Sequence, residues 1–156
     1  MEQLFDYISK RIDLTKEVKE FTKSISTIKK LKKGDVLINE NQIVNKTYFV
    51  LEGCIRSYVF DSVGKEHTLQ FALKNDWISD YIAIFNNEKS SQTVECIADS
   101  IVVETSVSEG IENIFLRFPK IESIHRKNLE RNIVSLQKRI LNQLRLTSSD
   151  RYKIFL

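Results

Sequence analysis

Tyr48-Phe49-Val50-Leu51-Glu52-Gly53-Cys54-Ile55-Arg56-Ser57-Tyr58-Val59-Phe60-Asp61-Ser62-Val63-Gly64-Lys65-Glu66 decides the fold of this chain. It holds two short runs rich in Val, Ile, Tyr and Phe, parted by Gly53 and closed by a glycine-bearing hairpin. Runs of this length and composition are β-strands. Similar runs flank it: Val36-Leu37-Ile38 and Thr47 to Leu51 on one side, then Cys54 to Phe60, His67 to Leu73, Gln92 to Ile97 and Ile101 to Thr105. Many short strands at close spacing predict a sandwich or barrel. The chain has only four glycines, and Gly34, Gly53 and Gly64 fall at strand boundaries, where a positive φ is easily met only by glycine.

Helices bracket the strands. Leu4, Phe5, Ile8 and Ile12 recur at helical spacing, and Leu14, Val18, Phe21 and Ile25 continue the pattern after Asp13. Pro119, the one proline, suits a first helical turn, where its absent N–H is not missed. No helix breaker follows until about Thr147. A helix of roughly 27 residues, spanning about 40 Å, exceeds what a roll of this size needs for its own core. Leu129, Ile133, Leu136 and Ile140 form a stripe on it, widened by Val134, Leu141 and Leu144. We read that stripe as the seam of a homodimer. The expected organisation is a roll with N-terminal helices over 1–118, a dimerisation helix over 119–146, and a further element beginning in 147–156.

Composition narrows the function classes. Hydrophobic content of 42% and charged content of 29% fit an ordinary globular protein. No run approaches the ~18 apolar residues of a membrane span, and the N-terminus lacks a signal-peptide layout, so the reading is cytoplasmic with no membrane partner. Cys54 and Cys96 sit in apolar strand-like runs as small hydrophobes. His67 and His125 fall in different elements, so no metal site or metal cofactor is expected. The cupin-type enzymes that also use such rolls need several histidines converging on one metal; this chain is read as a non-enzyme. Charge is segregated: residues 1–33 carry +4, residues 34–116 carry −8 and residues 117–156 carry +7. The basic C-terminal third is either a surface for an anionic partner such as nucleic acid or a solvated helix.

These features in this order resemble the cyclic-nucleotide-binding domain of the Crp/Fnr family of bacterial transcription regulators. The residues that carry the resemblance are Lys32-Lys33-Gly34-Asp35-Val36-Leu37, Tyr48 to Arg56, Gly64-Lys65-Glu66, Val94 to Ser100 and the helix after Pro119. The resemblance implies a mainly β fold with flanking helices, a double-stranded β-helix or jelly roll, dimerised through the long helix. It also implies a DNA-binding winged helix-turn-helix, which this sequence does not contain: residues 147–156 would be its start. Two readings of that remain, a sensor fragment of a longer regulator or a natural short form. Either way, specific DNA contact is expected only through that domain.

In the family, a Gly-Glu-Leu-Ala cassette followed by Arg-Ser/Thr-Ala holds the nucleotide phosphate. The arginine fork grips the phosphate through paired, charge-assisted hydrogen bonds, and amides at a short helix N-terminus add donors. The matching stretch here is Asn75 to Ala83 and Ser90 to Val94. Asp80 stands for the glutamate and Thr93 for the Ser/Thr. Ser79 replaces the glycine, and Gln92 occupies the arginine position. No arginine occurs between Arg56 and Arg117. Lys89 is the nearest cation. The expected pocket therefore comprises Ser79, Asp80, Tyr81, Lys89, Gln92 and Thr93, with Trp77, Tyr81 and Phe85 along one wall. It suits a neutral polar or partly apolar ligand of unknown identity, and no ordinary cyclic AMP response is expected. The alternatives are a true cyclic-nucleotide-binding module, or a ligand-free dimerisation module whose cavity is filled by its own side chains.

Overall fold

The computed structural model describes residues 1–145. Two helices, α1 (Glu2–Ser9) and α2 (Lys16–Ile25), precede the strands β1 (Ser26–Leu31), β2 (Val36–Ile38), β3 (Lys46–Glu52), β4 (Ile55–Phe60), β5 (Glu66–Ala72) and β6 (Trp77–Ile78). Helix α3 (Tyr81–Asn86), strands β7 (Thr93–Cys96) and β8 (Ser100–Ser106), and helices α4 (Ile111–Arg117) and α5 (Pro119–Arg145) follow. The strands form two four-stranded antiparallel sheets, β1-β8-β3-β6 and β2-β7-β4-β5. This is the expected jelly roll, mainly β with flanking helices.

Strand β3 shows how the sequence organises the core. Its Thr47 to Val50 run is buried without a break, because both faces of the strand are covered. Side chains alternate across a strand. Tyr48 and Val50 therefore enter the core between the sheets, with Ile38, Ile55, Ile78, Val94 and Val102. Phe49 points the other way, into a second cluster with Leu4 and Ile8 of α1, Val103 of β8 and Ile124 of α5. The N-terminal helices and the start of α5 thus cap the outer face of one sheet.

Gly53 explains the turn at the heart of the quoted stretch. Its φ is +102°, and an added Cβ would lie 2.6 Å from the Asp99 carbonyl oxygen and 2.7 Å from Ser100 Cα. Only glycine meets both demands. The Asp61 to Glu66 hairpin also forms as expected. Asp61 Oδ1 accepts from Val63 N at 3.0 Å and from Lys65 N at 2.8 Å, fixing the turn from its own side chain.

Three elements differ from the sequence reading. Strand β1 begins at Ser26, directly after α2; its alternation was obscured by the lysines at 29, 30, 32 and 33. Strand β6 has only two residues and is defined by pairing with Tyr48 and Phe49. Helix α4, with Ile111 and Ile114 buried, lies between the last strand and Pro119, where the sequence reading assigned no element. The long helix begins at Pro119 as expected and is followed for 27 residues to Arg145. The expectations for the end of that helix and for residues 147–156 lie outside the described residues.

Candidate functional site

A pocket of about 420 Å³ lies between the outer part of the roll and α5. The roll contributes Ser57, Leu69, Gln70 and Phe71 from β4 and β5, and Ser79, Tyr81, Ile82 and Gln92 from the stretch matching the family's phosphate cassette. Helix α5 closes it with Leu129, Asn132, Ile133, Ser135, Leu136 and Arg139. These α5 positions recur at spacings of three and four, which puts them on one face. The pocket is therefore walled by the roll on one side and the long helix on the other.

Of the six residues expected to form the site, Ser79, Tyr81 and Gln92 line this pocket. Asp80, Lys89 and Thr93 do not. Asp80 is fully buried and spends its carboxylate on the framework. One oxygen caps α3 by accepting from Ala83 N at 3.1 Å. The other accepts from the Ser90 hydroxyl at 2.7 Å and from Ser91 N at 3.3 Å. A carboxylate satisfied in this way has little left for a ligand, so Asp80 is the pin that holds the 90–92 loop to α3. Lys89 is exposed and forms an isolated bridge with Ile43. Thr93 pairs with Tyr58 in the β4–β7 ladder.

Ser79 is buried and donates to the Lys46 carbonyl at 2.6 Å, so its hydroxyl is also engaged. Tyr81 forms part of the wall, stacks on Phe85 and meets the edge of His125 at a ring separation of 5.2 Å. Burial pushes its phenol up, which keeps it a neutral hydrogen-bonding group. Trp77 belongs to a different neighbourhood from the expected wall: its ring packs on Phe49 at 4.9 Å.

Sequence reasoning missed the pocket's one charged residue among the described lining side chains. Arg139 on α5 donates from Nη1 to the Leu69 carbonyl at 2.7 Å. No Asp or Glu lines the pocket, so the −8 of the surrounding segment does not describe the cavity itself. The signal that could have found Arg139 is its place three residues after Leu136, on the helix face carried by Leu129 and Asn132. Arg56, the nearest arginine in the roll, is committed elsewhere. It pairs with Glu66 and, at 2.7 Å, with Glu95, tying β5, β4 and β7 together. Both cysteines are free thiols pushed up by burial, as inert small hydrophobes should be. No group of His, Cys, Asp and Glu suited to a metal occurs among the described residues. No described helix is long and apolar enough to cross a membrane.

Two antiparallel sheets wrapped into a roll, with a pocket walled on one side by the following helix, place the chain in the jelly-roll class. The family follows directly: the model of the cyclic nucleotide-binding domain matches residues 28–114, and the chain belongs to that family. No curated protein sequence matches the chain. Among solved structures, a protein of Eubacterium rectale assigned to the Crp/Fnr family of transcriptional regulators is similar at a TM-score of 0.77 and 18% identity, over 92% of this chain and 66% of its own. A mutant of CooA from Carboxydothermus hydrogenoformans is similar at a TM-score of 0.68 and 19% identity, over 90% of this chain and 60% of its own. The sensor domain of the transcriptional regulator DNR from Pseudomonas aeruginosa gives a TM-score of 0.65 and 16% identity, over 89% of both chains. At these identities the likeness concerns the fold. The chain spans about three fifths of the longer regulators.

Proposed function

We propose that this chain is the sensor and dimerisation part of a Crp/Fnr-type bacterial transcription regulator. In this reading a ligand in the pocket between β4, β5 and α5 biases how α5 meets a second copy. The observation that carries it is that one helix does two things at once. Leu129, Ile133 and Leu136 wall the pocket, while Ile133, Leu136, Ile140 and Leu144 leave 54%, 48%, 54% and 77% of their surface exposed. A ligand that moves the first set necessarily moves the second. The role is regulatory, with no catalytic step, and DNA reading falls to the winged helix-turn-helix that the family resemblance implies.

Cyclic AMP in its ordinary pose is not the ligand of this proposal. Gln92 offers a neutral amide where the family's guanidinium grips phosphate, and a neutral amide lacks the charge assistance that makes such contacts worth about 1.5–3 kcal/mol each. The ligand is instead a polar organic molecule that meets Gln70, Gln92 and Asn132 through hydrogen bonds, with any negative group facing Arg139. An open pocket supports this sensor reading over a ligand-free dimerisation module, which would fill the space with its own side chains. The test is sedimentation of the purified chain combined with calorimetry against cyclic AMP. A dimer with no heat of binding is expected; a monomer, or a micromolar dissociation constant for cyclic AMP, refutes the corresponding half.

A further inference from the structure

Nearer the start of α5, along the same helix face, lies a second, smaller cavity of about 90 Å³. Its walls come from α1, α2, the outer face of the β1-β8-β3 sheet, α4 and the first turns of α5. They are mostly apolar, with Leu4, Ile8 and Ile114 prominent. Three threonines, Thr22, Thr47 and Thr105, also line it, together with Trp77, His125 and Asn128. The last three each have a buried atom without a hydrogen-bond partner: Trp77 Nε1, His125 Nε2 and Asn128 Nδ2. Asn128 is only 8% exposed.

Leaving one buried donor unsatisfied costs about 1–3 kcal/mol, and folded proteins carry few such groups. Three around one cavity are better explained by a guest than by neglect. The space exceeds that of a single water, which needs about 10–15 Å³ by this measure, and approaches what a six-membered ring occupies. Trp77 Nε1 and Asn128 Nδ2 are both donors, so the guest must present an acceptor. No charged side chain lines the cavity among the described residues, which disfavours an ion.

We infer that this cavity is a second binding site, for a small uncharged molecule with an apolar ring or short chain and one hydroxyl or carbonyl oxygen. The oxygen takes hydrogen bonds from Asn128 and Trp77, and the apolar part lies against Leu4, Ile8 and Ile114. His125 gives the site a route to the roll pocket, because its ring contacts Tyr81 at 5.2 Å and Tyr81 lines that other pocket. The two sites have no lining residue in common, and the unpartnered atoms that carry this inference do not depend on the sensor reading.

Trp77 is the only tryptophan in the chain, so its single indole N–H resonance reports from the wall of this cavity. Titration of the full chain with phenol should shift that resonance saturably with one-to-one stoichiometry. Benzene, which has the ring without the oxygen, should bind at least about fivefold more weakly. Benzoate should not bind there, because its charge finds no partner. Asn128→Leu should weaken phenol about tenfold while sparing benzene, and Ile114→Phe should block both by filling the space. An indole resonance indifferent to phenol overturns the proposal, as does equal affinity for phenol and benzene or binding that survives Ile114→Phe. The comparison among the three probes needs no variant, so a poorly folding mutant would not shield the proposal.

Discussion

The inter-sheet core of the roll and the second half of α5 treat their apolar residues in opposite ways. Between the sheets, Val50, Ile55, Ile78, Val94 and Val102 are fully buried. Along α5 beyond Leu129, Ile133, Val134, Leu136, Ile140, Leu141 and Leu144 each keep more than 40% of their surface exposed. The space between the sheets is filled by the roll's own residues, although Phe60, Phe71 and Leu73 stay exposed on its surface, whereas the helix carries a continuous apolar stripe that its own chain does not cover. Burying such side chains is worth about 1.5–3 kcal/mol each, so the contrast separates a folding element from one with apolar surface to spare, as the proposed dimer requires.

The sharpest way to break this contrast is to charge the helix. Leu136→Asp with Ile140→Asp should place unpaired carboxylates in the dimer seam and weaken self-association by at least about a thousandfold, roughly 4 kcal/mol. Sedimentation equilibrium measures the loss, and the urea midpoint of the roll should stay nearly unchanged. A wild-type chain that is already monomeric at micromolar concentration removes the seam altogether.

Charging the helix probes association; a single methyl group probes the roll. Gly53→Ala should cost about 3 kcal/mol or more, from a positive φ and the collision with Asp99 and Ser100. Leu144→Ala on the exposed end of α5 should change the stability of the isolated monomer by less than about 0.5 kcal/mol. Denaturant unfolding of the two variants reads the difference directly. Equal effects would mean that the turn relaxes and that the roll is less rigid than its buried core indicates.

His125 lies at the joint between the two regions, and pH tests it. Burial pushes its imidazole from 6.5 down to about 4, so the ring is neutral in the folded chain. The unfolded chain binds that proton more readily. Stability is therefore fully present above about pH 6.5 and is lost as pH falls toward about 4. Between pH 7 and pH 5 the loss should be about 2 kcal/mol. His125→Phe should abolish that slope, leaving the carboxylates such as Asp61 and Glu104, held below their usual range by His67 and by Lys46 and Lys29, to act only at lower pH. A wild-type stability that is flat from pH 7 to pH 5 would show that His125 is solvated.

Much of the fold was legible because the relevant rules are local. Strand runs, a glycine at each tight turn and a proline opening a helix are all written within a few residues of where they act. Strand β6 was not, since two residues become a strand only by lying beside β3. The site was legible only in part for the same reason. Asp80 sits where a ligand-binding glutamate would, but its shorter side chain turns back to cap α3 and hold Ser90, and that choice depends on a loop ten residues away. Arg139 reaches the pocket from an element 47 residues beyond Gln92, and no local pattern joins them. Lys89, close in sequence, is exposed and bridged to Ile43 and does not line the cavity.

The smallest expected effect asks which region holds a ligand's charge. Gln92 faces the pocket from the roll and Arg139 from the helix. The backbone at Gln92 is fixed independently of its side chain: its N–H donates to Ser90 Oγ at 3.3 Å, and Ser90 is pinned by Asp80. Gln92→Arg can therefore bring a guanidinium into the cavity without disturbing the loop. If the pocket has the shape of its family, that change should raise cyclic AMP affinity about tenfold, roughly 1.4 kcal/mol, the lower end of a charge-assisted hydrogen bond. Arg139→Gln in the same background should reverse part of the gain if the helix cation shares the phosphate. Calorimetry on the wild type and both variants reads all three values. A gain that Arg139→Gln leaves untouched assigns the charge to the roll alone. No gain from Gln92→Arg would mean that the cavity is shaped for something other than a nucleotide, and Arg139 would then be the side chain around which that ligand should be sought.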